Sequence, residues 1–169
     1  MSYRRELQIF FGLIGLAVAP FVQASTVQKL SFDQLVSEAD LIVRGRVETL
    51  KSRQASDRRP MTTVVTLAVQ RQFKGPKVSS VTIEQAGGSQ GDVTLSVPGS
   101  PEFTPGEDVI LLLKRNRDGA SKIVGGRQGM FTVKTPLGVD KEVVEDFAHR
   151  TESVDSFLGR LTTTLQKSH

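Results

Sequence analysis

Beyond its first two dozen residues the chain alternates apolar and polar side chains with period two, broken at short intervals by turn residues. Val43, Gly45 and Val47 share one face while Arg44, Arg46 and Glu48 take the other, the pattern of a half-buried strand. Within Thr63–Phe73, Val65, Leu67 and Val69 repeat it, and Lys74-Gly75-Pro76 ends the run. Val78–Gln85 predicts a third strand, with Ala86 to Gly91 as its turn, and Val93, Leu95 and Val97 a short fourth. Val109 to Leu113 is apolar at every position, which predicts a strand covered on both faces, central or roofed by a helix. Lys122–Val124, Met130–Val133 and Lys141–Val144 complete the strands, with a polar loop at Lys114–Gly119 and a turn at Leu137-Gly138.

Two segments read as helices. Ser31-Phe32-Asp33-Gln34 is a capping-box start, opening a short helix that ends near Ala39. Val154, Phe157, Leu158, Leu161 and Leu165 recur at helical spacing behind an N-cap at Ser153, predicting an amphipathic helix over 153–167 whose stripe packs on the core. The expected fold is mainly β: a small closed or partly open antiparallel barrel, OB-like, with a short N-terminal helix and the C-terminal amphipathic helix. Closure removes the sticky edges of so many short strands.

The opening residues read as a secretory signal peptide, 1–24. Arg4 and Arg5 form a basic start, Leu7 to Val22 is apolar apart from Gln8, and Val22-Gln23-Ala24 places small residues where a signal peptidase accepts them. Cleavage after Ala24 leaves a single domain, 25–169, in the periplasm or outside the cell. The apolar run ends at Pro20, short of the ~20 residues of a spanning helix, so no stable membrane anchor is expected after cleavage. Arg4-Arg5 is also compatible with twin-arginine export.

Composition narrows the chemistry. The chain has no Cys and two His, His149 and His169, so thiol nucleophiles, disulfides, iron–sulfur clusters and cysteine-built zinc sites are excluded. No cofactor and no metal are expected. The net charge of +4 is small for 169 residues, and Phe32, Phe73, Phe131 and Phe157 read as core rather than as a stacking platform. A nucleic-acid partner is therefore not expected.

Three motifs remain. Gly87-Gly88-Ser89-Gln90-Gly91 matches the G-x-S-x-G nucleophile elbow, but an elbow needs a strand before it and a helix after it. Here the following residues, Asp92 to Val97, read as strand, so a hairpin is expected. Asp140, Glu142, Glu145 and Asp146 are the densest acids; interleaved with Lys141 and His149, they read as a solvated strand and turn or, alternatively, a weak calcium site. Arg44, Arg46, Arg53, Arg58 and Arg59 cluster on the first strand and the loop Ser52–Met61, suiting either solubility or an acidic partner. The binding candidates are therefore Arg53, Arg58, Arg59, Gly87, Gly88 and Ser89, on the loops Ser52–Met61, Gln85–Asp92 and Pro98–Pro105.

Four segments taken together, Ala39–Val47, Phe73-Lys74-Gly75, Val97–Leu113 and Gly126–Phe131, resemble a group of exported bacterial proteins without an assigned activity. More distantly, their layout is similar to the netrin-module or tissue-inhibitor-of-metalloproteinase type of OB barrel. The resemblance implies a barrel. The inhibitory mechanism of that type uses an N-terminal cysteine, and here the expected terminus is Ser25. The functional expectation is an exported, non-enzymatic module that contacts a protein or an anionic envelope polymer. A peptidase-inhibitor-like module and a serine hydrolase using Ser89 are the alternatives.

Overall fold

A computed structural model of the chain describes residues 28–53, 60–116 and 119–167. The leader with its cleavage point, Arg58 and Arg59 lie outside the described residues. The chain enters at helix α1 (Phe32–Glu38), whose capping box forms as its residues predict. The Gln34 amide donates to Ser31 Oγ at 3.2 Å, and the Ser31 amide to Gln34 Oε1 at 2.8 Å.

Strands β1 (Leu41–Arg53), β2 (Thr62–Lys74) and β3 (Ser80–Ala86) form an antiparallel meander. A small hairpin, β4 (Gly88–Gln90) and β5 (Val93–Leu95), stands apart from the main sheet. Strand β6 (Asp108–Arg115) then returns to pair with β1, and β7 (Ser121–Ile123) joins β6 to β3. The circuit β1-β2-β3-β7-β6-β1 closes a five-stranded barrel. It is antiparallel except at one junction, where β3 and β7 run parallel through the pair Ile83 and Ser121. Strands β8 (Met130–Lys134), β9 (Val143–Glu145) and β10 (Thr151–Ser153) extend the sheet outside the barrel, and α2 (Val154–Lys167) closes the chain.

Strand β6 shows why its apolar run is uninterrupted. One edge pairs with β1; the other is divided between β8 at Asp108–Leu111 and β7 at Leu113–Arg115. Val109, Leu111 and Leu113 point into the barrel with Val43, Val65, Leu67 and Ile83. Ile110 and Leu112 point the other way, into a second core under both helices with Leu35, Val36, Phe131 and Phe157. Both predicted coverings, central and roofed, are therefore present.

Barrel closure bends β1, whose register with β2 shifts in three places, one of them between Arg44 and Gly45. A Cβ on Gly45 would lie 2.3 Å from the Ala68 carbonyl oxygen, so this close crossing admits only glycine without rearrangement. The second core is tied by three phenylalanines: Phe131 and Phe157 stand 4.9 Å apart, and Phe32 meets Phe157 edge-on at 5.6 Å. The Arg160 guanidinium lies over Phe32 at 3.8 Å and pairs with Glu152. Ser153 caps α2 by accepting from the Ser156 amide at 3.2 Å, and Thr164 Oγ1 donates to Asp33 on α1 at 2.9 Å. No helix among the described residues is long and apolar enough to cross a membrane.

Candidate functional site

The far ends of β1 and β2 reach past the barrel, and the β4–β5 hairpin packs on them. A directed chain of hydrogen bonds fixes the attachment. Thr63 Oγ1 donates to the Gly87 carbonyl at 2.8 Å. Its single proton is thereby used, so across the 3.1 Å contact between Ser52 Oγ and Thr63 Oγ1 it is Ser52 that donates. Ser52 Oγ in turn accepts the Ser89 amide at 3.3 Å. The Gly87 amide closes the base of the hairpin on the Met61 carbonyl at 2.9 Å.

The glycines here answer to geometry. Gly87 and Gly88 hold φ of 92° and 141°, and a Cβ on Gly88 would stand 2.2 Å from Thr63 Oγ1 and 2.6 Å from Ser52 Oγ. At the tip, Gly91 takes φ 58° in the two-residue connection between Gln90 and Val93, a conformation glycine enters freely. The segment Gly87–Gly91 is thus a strand and turn of an antiparallel hairpin, as its residues predict, rather than a strand-to-helix elbow. The Ser89 hydroxyl contacts Thr94 Oγ1 at 2.9 Å, and the His149 ring contacts Glu145 at 2.9 Å.

Between this hairpin, the barrel end and the proline-rich segment lies a groove of about 410 Å³. Its walls are Leu50, Ser52 and Thr63 from β1 and β2, Gln85–Ser89, Thr94–Val97 and Ser100–Phe103. Three segments separated in sequence therefore meet around one concavity. Ser100 Oγ donates to the Ala86 carbonyl at 3.3 Å, holding the proline-rich wall in place. Gln85 Oε1 is buried without a hydrogen-bond partner.

Of the predicted binding residues, Gly87, Gly88 and Ser89 line the groove, while Arg53 is exposed at the end of β1, beside Ser52 and paired in register with Thr62. The expected loop Ser52–Met61 is shorter than predicted: β1 continues through Arg53, and Met61 is 2% exposed. The expected turn Ala86–Gly91 contains strand β4, and β5 lies outside the barrel with Val93 59% and Leu95 41% exposed.

Arg44 departs from the surface cluster in which the sequence placed it. Its Nη2 lies 2.7 Å from both Asp108 and Glu142, and its Nη1 donates to Glu142 at 2.9 Å. The exposed contact with Glu142 and the part-buried one with Asp108 raise the guanidinium pKa further above its ordinary value, and Arg44 lowers that of Glu142. Of the acids read as a solvated turn, Glu145 and Asp146 are paired as well as Glu142, while Asp140 is exposed. His149 and Lys134 hold Glu145 below the usual carboxylate range. At Asp146 burial pushes upward, but the Arg150 side chain and the amides of Arg150 and Ala148 outweigh it and lower the pKa. Among the described residues no group of three or more His, Cys, Asp or Glu is arranged to hold a metal ion.

Thr63, Ser52, Gln85 and the serines of 96–100 were not singled out from the sequence. Thr63 carried a signal: it shares the inward register of Val65 and Leu67, where a hydroxyl is out of place unless it is bonded. The chain matches no family profile, no curated protein and no solved structure.

Proposed function

We propose that this chain is an exported, non-catalytic binding module that contacts another macromolecule through the groove beside the β4–β5 hairpin. The observation that carries the reading is convergence. The end of β1 and, later in the chain, residues of the neighbouring Gln85–Asp92 and Pro98–Pro105 segments line one concavity on a closed barrel. Export is supported by the leader pattern before Ser25. Binding on loops and hairpins held by a rigid scaffold is how such barrels acquire function, and the site rather than the fold has to argue it.

Pull-down from an envelope extract tests the reading, with immobilised mature chain compared with Gly88→Val and with Arg53→Ala/Arg58→Ala/Arg59→Ala. A partner retained by the wild type and lost by Gly88→Val supports the groove. Loss on the arginine variant alone moves the contact to an anionic partner at the β1–β2 end. Identical recovery by all three contradicts the proposal.

A second reading, a peptidase-inhibitor-like module, is favoured by the hairpin itself. It presents the exposed side chains of Val93 and Leu95 on a short strand, the form in which an extended segment enters a protease cleft. Inhibition of a co-secreted protease that disappears on Val93→Asp supports it.

A further inference from the structure

A second concavity lies where the segment entering α1 meets the turns that precede β8 and β10. It measures about 420 Å³, within the size range of small-molecule pockets. Its side-chain walls are Lys29, Arg127, Gln128, Phe147, Ala148 and Arg150, and no lining residue is acidic. A buried side chain fixes the position of Lys29. Gln128, 6% exposed, accepts the Leu30 amide through Oε1 and donates through Nε2 to the Gln28 carbonyl, both at 2.9 Å. That clamp holds the backbone on either side of Lys29. The Phe147–Arg150 wall is held by Asp146, whose Oδ1 accepts the amides of Ala148 and Arg150 at 2.9 and 3.0 Å. Among the described residues, Phe147 is the one aromatic side chain in the set of large exposed apolar ones.

The open side-chain polar atoms of this pocket are all donors. Gln128 Oε1 is the single side-chain acceptor in its walls, and the Leu30 amide already takes it. The carbonyls of Gly99 and Gly125 likewise accept the amides of Arg127 and Gln128. The Lys29 and Arg127 side chains form no hydrogen bond or ion pair with any described residue. Arg150 gives Nε to Asp146 at 2.8 Å and keeps further donors. With Asp146 set against Arg150, two positive charges stay uncompensated, and Ser25–Gln28 ahead of Lys29 contains no acid. Arg127 and Phe147 also border a smaller hollow that holds Glu102, Glu107, Glu145 and Asp146. Three of those acids are engaged, by Thr132, Lys134 and Arg150. An anion therefore enters on the Lys29 side.

A matching ligand supplies acceptors and negative charge, and it covers an aromatic ring and the flat faces of guanidinium groups. An ammonium group would meet three cations. Inorganic phosphate or sulfate answers the charge but leaves Phe147 and the alkyl stems in water. We infer that this pocket binds an organic carboxylate joined to a flat apolar body. The head lies between Lys29 and Arg127, whose planar fork offers it paired donors. The body lies on the Phe147 ring, with the Arg150 guanidinium stacked beside it. A free aromatic acid and the end of a chain whose last residue is aromatic share this chemistry. The site is separate from the groove, and neither stands or falls with the other.

The test uses the whole mature chain and two fluorophores: anilinonaphthalene sulfonate, which is anionic, and phenylnaphthylamine, nearly the same flat body without charge. The expected result is saturable binding of the sulfonate, tighter than that of the amine and weakened by salt. Amide shifts at Gly125–Gln128 and Phe147–Arg150 in nuclear magnetic resonance spectra place it. Phenylpropanoate is expected to displace the sulfonate. Displacement as well by the peptide Gly-Gly-Phe, but not by its amide, assigns a chain end; its failure beside phenylpropanoate assigns the free acid. Arg127→Gln is expected to weaken the sulfonate roughly ten-fold, the size a charged hydrogen bond supplies. Lys77→Gln, which removes an equal charge between β2 and β3, is expected to leave it unchanged. Arg127 and Lys77 are both exposed, so neither substitution threatens the fold. Equal binding of the two fluorophores, or binding that ignores Arg127→Gln, overturns the anion site. Shifts confined to Gln85–Ser89 and Ser96–Phe103 overturn it in favour of the groove, and no saturable binding of sulfonate or phenylpropanoate overturns it outright.

Discussion

Replacing Thr63 by valine keeps the shape of the side chain and removes one hydroxyl from the junction between barrel and hairpin. Thr63 is 3% exposed, so water does not readily take the place of the lost group. The Gly87 carbonyl loses the donor that reaches it at 2.8 Å, and the Ser52 hydroxyl loses its acceptor. One neutral hydrogen bond contributes about 1 kcal/mol net, and a buried carbonyl left unpaired costs about 1–3 kcal/mol. The expected loss is about 2 kcal/mol, which at ordinary urea sensitivity lowers the midpoint by roughly 1 M. Urea titration followed by circular dichroism measures it, with the slope expected to stay constant. Hydrogen exchange should localise the effect: the amides of Gly87 and Ser89, bonded to Met61 and Ser52, exchange faster by roughly ten-fold or more. An unchanged midpoint together with unchanged protection at Gly87 and Ser89 would refute the proton chain as the hairpin's attachment.

Other consequences follow from the same contacts. Gly45→Ala places a methyl group against the Ala68 carbonyl and should cost about 1–3 kcal/mol by overpacking; chemical denaturation reads it, and a neutral result contradicts the close crossing. Arg44→Met leaves Asp108, whose side chain is 17% exposed, without its counter-charge, and should destabilise by about 3 kcal/mol or more, partly restored by Asp108→Asn in the same chain. The lowered carboxyl pKa values of Glu142, Glu145 and Asp146 contribute stability that is complete above the ordinary carboxylate range. That stability is lost as pH falls below about 4 and these groups protonate in the folded state. A melting profile from pH 7 to 3 should therefore drop at the acid end, less steeply in Glu142→Gln/Glu145→Gln/Asp146→Asn. Ser89→Ala should leave any labelling by a fluorophosphonate unchanged, because the Ser89 hydroxyl contacts Thr94; labelling abolished by that substitution would establish a nucleophile. Mass spectrometry of the exported protein should find Ser25 as its first residue, and retention of Met1–Ala24 contradicts the leader.

The architecture was legible where a local pattern and the tertiary context agree. The Ser31–Gln34 capping box, the apolar run Val109–Leu113 and the stripe Phe157–Leu161 each state their environment in the residue types alone, and each is found in it. Boundaries were less legible. Ser52 and Arg53 have no apolar alternation to mark them as strand, yet β1 extends through both because β2 supplies the ladder. Arg44 looked like its neighbours Arg46 and Arg53, since nothing local announces that Asp108 and Glu142, 64 and 98 positions away, converge on it. The groove was half visible: turn chemistry marked Gly87–Ser89 and the prolines, but their meeting with Ser52 and Thr63 is a product of barrel closure. A sequence shows which segments are unusual more readily than which of them touch.

The binding claim meets its most direct test in cells, by placing a photocrosslinking phenylalanine derivative at Ser96 in the groove and at Leu137, which is fully exposed on the β8–β9 turn. A discrete adduct from position 96, absent from position 137 and lost when Gly88→Val is added, is the predicted result. No adduct at position 96, or the same adducts from both positions, contradicts the groove as the surface through which this protein works.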